Sequence, residues 1–188
     1  MVMKNSIISA VFAGIAISIG TVVYLKTQGV IGSLLFSIGI LMVCKFNLSL
    51  FTGKVSYISS IKQLPYIITI LVGNILGATI LLIFPSQEAY NIVVSKLDTS
   101  ILQTFVEAAL CNVLIYLAVE SYKQNVVITI LSIAVFILCG FEHSIANVCF
   151  IFSARLFTLD ILWNFLVVTV GNAVGGIIIH NVHKRCLK

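Results

Sequence analysis

Apolar residues run along this chain in long blocks, and the polar residues that interrupt them fall in a few places. Four blocks, Ile7 to Leu25, Leu64 to Phe84, Ile101 to Val119 and Ile161 to Ile179, each have the length of one transmembrane helix, since a hydrocarbon core about 30 Å thick takes roughly 20 residues. Two others, Val30 to Ile61 and Val126 to Phe157, run 32 residues each, about 48 Å as continuous helix. The first is interrupted by Lys45, Asn47, Thr52, Gly53 and Lys54, the second by Gly140, Glu142, His143, Ser144 and Asn147. Irregular backbone at membrane depth survives only where protein or a watery cavity satisfies it. Both long blocks therefore read as broken helices beside a pathway.

The two halves echo each other. Gly73 to Ala78 (GNILGA) recurs as Gly171 to Gly176 (GNAVGG), 98 residues later, and in each half the motif follows the broken span. Each half contains three spans, an odd number, so the second half inserts upside down relative to the first. Inverted repeats of this kind bring discontinuous helices together near the midplane. The expectation is an all-α polytopic membrane protein with six transmembrane helices as two inverted three-helix repeats, the second and fifth helices broken. It forms one membrane domain over residues 1–188, with repeats at about 7–84 and 101–179.

Composition agrees: 60% of the 188 residues are hydrophobic and 9% charged, against soluble averages of roughly 45–50% and 25%. The first block follows Lys4 like a signal sequence, but its 19 residues and five comparable followers make it a retained span. The net charge of +5 is scattered except in the tail Lys184, Arg185 and Lys188, so nucleic acid is not expected as a partner. With the N-terminus inside, Lys4, Lys54, Lys62, Lys123, Lys184, Arg185 and Lys188 face the cytoplasm against Lys26, Lys96 and Arg155 outside. That imbalance puts both termini in the cytoplasm of a cell-membrane protein. Cys44, Cys111, Cys139 and Cys149 lie in apolar runs without a two-residue gap, and read as small packing residues.

Ionisable residues inside the membrane are costly and point to function. In Phe141 to Asn147 (FEHSIAN), the imidazole of His143 can hydrogen-bond to an anion or exchange a proton with it. Glu142, Ser144 and Asn147 are expected to satisfy the broken backbone and to bond across spans. The counterpart stretch Leu50 to Lys54 offers Thr52, whose hydroxyl can donate to an anion without bringing a fixed charge.

Leu50 to Lys54 (LFTGK), GNILGA, Lys96 sixteen residues before Asn112 in CNVLIYLAV, FEHSIAN, and Val168 to Gly176 (VTVGNAVGG) together resemble the formate/nitrite transporter family, in order from about Phe12 to Ile179. The resemblance implies an aquaporin-like fold and a homopentamer with one pore per protomer. It implies passage of small monovalent anions, formate, nitrite or hydrosulfide, with protons as the second partner and no cofactor. By position, His143 matches the family's central histidine, Thr52 the threonine of the broken second span, and Lys96 the lysine that raises the local positive potential. Phe36, Ile40 and Phe136 fall at apolar constrictions, which Leu50 and Phe51 complete. Ile40 stands where leucine is typical. Asn74, Asn112 and Asn172 match intramembrane asparagines: Asn112 and Asn172 are expected at the pore and Asn74 among the structural polar residues, with bonding of the broken backbone the alternative for the pore pair. With six residues ahead of the first span, the family's amphipathic N-terminal helix is not expected, nor gating by it.

A membrane enzyme using Glu142 and His143 as an acid/base pair would need a nucleophile, a phosphate loop or a metal set, and none accompanies them. His180, His183 and Cys186 are spaced to hold a metal, but read as a solvated tail. A protein of this fold that has lost transport and serves a structural or sensory role is the alternative. Lys45 and Glu107 are buried charges to which the sequence gives no role.

Overall fold

The computed structural model describes residues 2–186, with side chains from Ile7 onward. Lys188, and the side chain of Lys4, therefore lie outside the described residues. Among those residues all regular structure is helical: α1 (Val2–Thr27), α2 (Gly29–Lys45), α3 (Phe51–Val55), α4 (Leu64–Ala78), α5 (Gln87–Leu97), α6 (Ile101–Ser121), α7 (Val126–Leu138), α8 (Ser144–Ala154) and α9 (Leu159–Cys186). Short 3-10 turns precede α4 at Ile61–Gln63 and extend it at Thr79–Ile83. Segments Ile7–Thr27, Ile61–Ile83, Ile101–Ser121 and Leu159–Cys186 are each long and apolar enough to cross a bilayer.

The two overlong blocks each divide into two helices separated by five residues, 46–50 in one and 139–143 in the other. Polar residues concentrate there because the loops need hydrogen-bond partners that lipid cannot supply. Helix α5 was not anticipated. Its signal was present, since Ser86 caps it by accepting from Ala89 N, and Ala89 and Val93 recur at helical spacing on its buried side. Helix α9 runs past Ile179 to Cys186 and carries His180 and His183 with it.

Packing repeats at an interval of 98 residues. Helix α1 lies on α4 as α6 lies on α9, and small residues set both approaches. A Cβ on Gly77 would fall on Val11 O, and one on Gly175 would fall on Ala109 O. Likewise Gly73 faces the Ala10 methyl and Gly171 the Ala108 methyl. Two small residues four apart on one face let helix backbones touch, which compensates in lipid for the missing hydrophobic drive. The short helices exchange sides: α3 contacts α6 and α9, while α8 contacts α1 and α4.

Where α2 meets α7, the core holds Phe36, Ile40, Ile133 and Phe136, all within 1% of complete burial. Outward, α9 presents Leu159, Leu162, Trp163, Leu166 and Val170 at helical spacing, each about half exposed or more. Cys111 and Cys149 pack as small hydrophobes, but Cys139 is exposed, a departure from the packing role its apolar run suggested. Lys45, expected as a buried charge, is the exposed last residue of α2, where the helix dipole favours a cation.

Candidate functional site

The loops at the two helix breaks are held by one asparagine each, in the same way. Asn74 Oδ1 accepts from Phe51 N at 2.8 Å, while its Nδ2 donates to Ala10 O at 2.8 Å and Ser49 O at 2.9 Å. Asn172 Oδ1 accepts from Ser144 N at 2.9 Å, and its Nδ2 donates to Ala108 O at 2.7 Å and Glu142 O at 2.8 Å. Every hydrogen-bonding position of each fully buried amide side chain but one oxygen lone pair is used. Both residues thus fix where a short helix begins.

This fixes Leu50 and His143 as the extended N-cap residues of α3 and α8. His143 caps its own helix: Nδ1 accepts from Ala146 N at 3.0 Å. A backbone N–H can only donate, so Nδ1 carries a lone pair and the neutral ring holds its proton on Nε2. Nε2 lies 2.9 Å from Thr52 Oγ1 and donates to it, which leaves the threonine's own proton for a further acceptor. His143 and Thr52 are 1% and 0% exposed, so the pair is sealed from solvent.

Aromatic rings lead away from the pair. The His143 ring stacks on Phe136 with centroids 5.5 Å apart, Phe136 meets Phe36 edge-on at 6.0 Å, and Phe36 meets Tyr24 at 6.5 Å. Beyond Tyr24 opens a cavity of about 290 Å³ whose lining includes Lys96, Glu107, Cys139 and Glu142. On the other side α3 runs from Thr52 to a cavity of about 230 Å³ lined by Lys54, Tyr57, Ile58, Gln63, Tyr66 and Ile67. Leu50 and Phe51 are buried beside Thr52, and Ile40 is fully buried.

Lys96 is not a lone cation. Its Nζ lies 2.9 Å from Glu142 Oε1 and 3.0 Å from Gly140 O, and Asn147 Nδ2 donates to Glu142 Oε2. A buried carboxylate needs such partners, because removing one leaves an uncompensated charge. Lys96→Met is therefore expected to cost about 3–5 kcal/mol of stability, read as the thermal unfolding midpoint in detergent. Adding Glu142→Gln should restore most of it; no restoration would show that the pair is not the cause.

Other expectations resolve differently. Ser144 reaches across to α9 through its backbone N–H, while its Oγ is buried without a hydrogen-bond partner. Asn147 bonds Glu142 within its own segment rather than across spans. Asn112 donates to Ser56 Oγ at 3.3 Å and is packed against Gly176, with its Oδ1 unpartnered. Glu107, expected to be buried, is half-buried and accepts from Gln103 Nε2 at 2.7 Å. His180 and His183 both turn a ring Nδ1 toward Tyr116 Oη, at 3.4 Å and 2.8 Å. Tyr57, which donates to Glu120, joins that cluster by its ring; along the chain Tyr57 and Tyr116 carry no signal beyond their aromatic character.

The model of the formate/nitrite transporter family matches residues 1–184. The chain belongs to that family. Among curated relatives it is 28% identical to the formate channel FocA of Haemophilus influenzae, covering 97% of this chain and 86% of that one. It is 27% identical to FocA of Escherichia coli K12, covering 89% and 80%. A solved structure described as a pentameric formate channel with formate bound superimposes with a TM-score of 0.87 at 25% identity, covering 99% of this chain and 97% of that one. An ion channel of the same family superimposes equally well at 20% identity, which supports the fold alone. This member of the formate/nitrite transporter family is thus an all-helical, multi-pass membrane transport protein and not an enzyme.

Proposed function

We propose that the protein carries small monovalent anions, formate, nitrite or hydrosulfide, across the cell membrane. Each protomer of a homopentamer holds its own path, which runs past Thr52 and His143. The observation that carries this reading is the sealed 2.9 Å contact between Thr52 Oγ1 and His143 Nε2, formed where two short helices start from opposite halves of the chain. The reading is supported by the superposition of the whole fold on a solved structure described as a pentameric formate channel with formate bound.

In this reading the chain makes six spans as two inverted repeats, with α2 and α3 as the halves of a broken second span and α7 and α8 as the halves of a broken fifth. Both termini are cytoplasmic. An anion enters the cavity beside Lys96, leaves most of its water at Phe36, Ile40 and Phe136, and finds two donors at the centre, the free Thr52 hydroxyl proton and His143 Nε2–H, which turns from Thr52 Oγ1 to the anion. These replace part of its hydration without a fixed charge that would hold it too long. It leaves past Leu50 and Phe51 into the cavity by Lys54. Asn74 and Asn172 hold the frame; Asn112 steadies the far end of α3 through Ser56.

The apolar constrictions penalise a bare charge, so a proton that travels with a weak acid lowers the barrier. Neutral His143 donates a hydrogen bond but not that proton, because a second ring proton would turn Nδ1–H against Ala146 N–H. The proton comes from solvent.

Flux into proteoliposomes tests this reading. Formate, nitrite and hydrosulfide should equilibrate faster than into empty vesicles, with acetate and lactate slower. Flux equal to that of empty vesicles for all five would leave a structural or sensory protein of the same fold.

A further inference from the structure

His180 and His183 lie three residues apart near the end of α9, on one face of the helix. Both turn Nδ1 to a single atom, the hydroxyl oxygen of Tyr116 on α6, at 3.4 Å and 2.8 Å. Tyr116 is 5% exposed and the two imidazoles are half-buried. They stand against the protein and not as the solvated tail that the sequence suggests. A phenol carries one proton and satisfies one of the two nitrogens. The shorter contact gives that proton to His183, and His180 Nδ1 is met at a length where a hydrogen bond is weak.

We propose that His180 and His183 bind one exchangeable divalent transition-metal ion of the kind that prefers imidazole, nickel, copper or zinc, through the two Nδ1 atoms that now converge on Tyr116. Each nitrogen closes to about 2.1 Å from the ion, a small swing for half-buried rings, and the ion takes the place of their contacts with the hydroxyl. Among the described residues no group of three histidine, cysteine or carboxylate side chains gathers to hold a metal, so water fills the other positions. That makes the ion exchangeable rather than structural, and imidazole selects it against magnesium and calcium, which take oxygen ligands. Glu120, one turn beyond Tyr116 on α6, accepts from Tyr57, whose ring meets His180 at 4.9 Å. Its carboxylate offsets part of the repulsion from Lys184 and Arg185, the exposed cations that follow on α9. The site stands whether or not the chain conducts anions.

Titration calorimetry of nickel chloride into the full chain in nanodiscs, with any affinity tag removed, tests the assignment. The wild type should bind one ion per chain, and magnesium should not bind there. His180→Gln and His183→Gln each keep an oxygen acceptor for the Tyr116 hydroxyl, so both should unfold at the wild-type temperature. Each should nevertheless weaken nickel binding by at least the roughly 10- to 100-fold that loss of an outer-shell partner costs. Cys186→Ser should bind as the wild type does. Equal binding by the wild type and the His180→Gln, His183→Gln double variant would overturn the assignment, as would no binding by the wild type at roughly millimolar nickel. A loss in Cys186→Ser as large as that at the histidines would place the ion at the helix tip and overturn it as well.

Discussion

Asn172→Ala is expected to lower stability by at least about 3 kcal/mol, since each buried polar group left without a partner costs about 1–3 kcal/mol. Three such groups are exposed to that fate: Ser144 N–H, Ala108 C=O and Glu142 C=O. Lipid supplies no replacement donors or acceptors, and the Gly171 and Gly175 approach of α9 to α6 leaves little room for water. Asn74→Ala, which strands Phe51 N–H, Ala10 C=O and Ser49 C=O, should cost the same to within about 1 kcal/mol. Thermal unfolding in detergent reads both, with the half-exposed Leu166→Ala as a control near zero. A loss below about 1 kcal/mol at Asn172 would mean that the loop before α8 is held by something else.

The second large effect separates the two jobs of His143. Its Nδ1 caps α8 and its Nε2 meets Thr52. Asparagine is among the best N-cap residues and retains an acceptor for Ala146 N–H, whereas alanine removes it at about 1 kcal/mol. Asparagine is too short to meet Thr52 from the same position. His143→Asn should therefore unfold within about 1 kcal/mol of wild type while losing roughly 10- to 100-fold in anion flux, the worth of one good donor to a charged group. His143→Ala should lose both, with a cavity against Phe136 adding to the stability cost. Wild-type flux in a folded His143→Asn protein would move the anion path away from the histidine.

Much of this architecture was legible because membrane insertion makes a chain state its spans plainly. Overlong apolar blocks with polar residues mid-run gave the two helix breaks, and the polar residues sit there because broken backbone must be satisfied. The repeat of GNxxG at 98 residues reappears in the pairs Ala10 with Asn74 and Ala108 with Asn172, since both motif asparagines reach back to the preceding helix. Helix α5 leaves no such mark, because an amphipathic helix of 11 residues is not an apolar span. Partners escaped as well. Sequence put Lys96 and Glu142 at the site but not on each other, because their contact spans 46 positions and depends on where α5 lies. The tautomer of His143 was likewise beyond reach, since it follows from a backbone donor three residues on that exists only once α8 has formed.

The most direct test of the account is a double-mutant cycle on formate flux in proteoliposomes, using Thr52→Val, His143→Asn and the pair, all checked for folding and assembly. If both donors serve the same anion at one point of the path, each single change should lower flux at least about tenfold, and the double variant should be little slower than His143→Asn alone. Two losses that multiply in full, or a Thr52→Val protein that conducts like wild type, would contradict a shared central site.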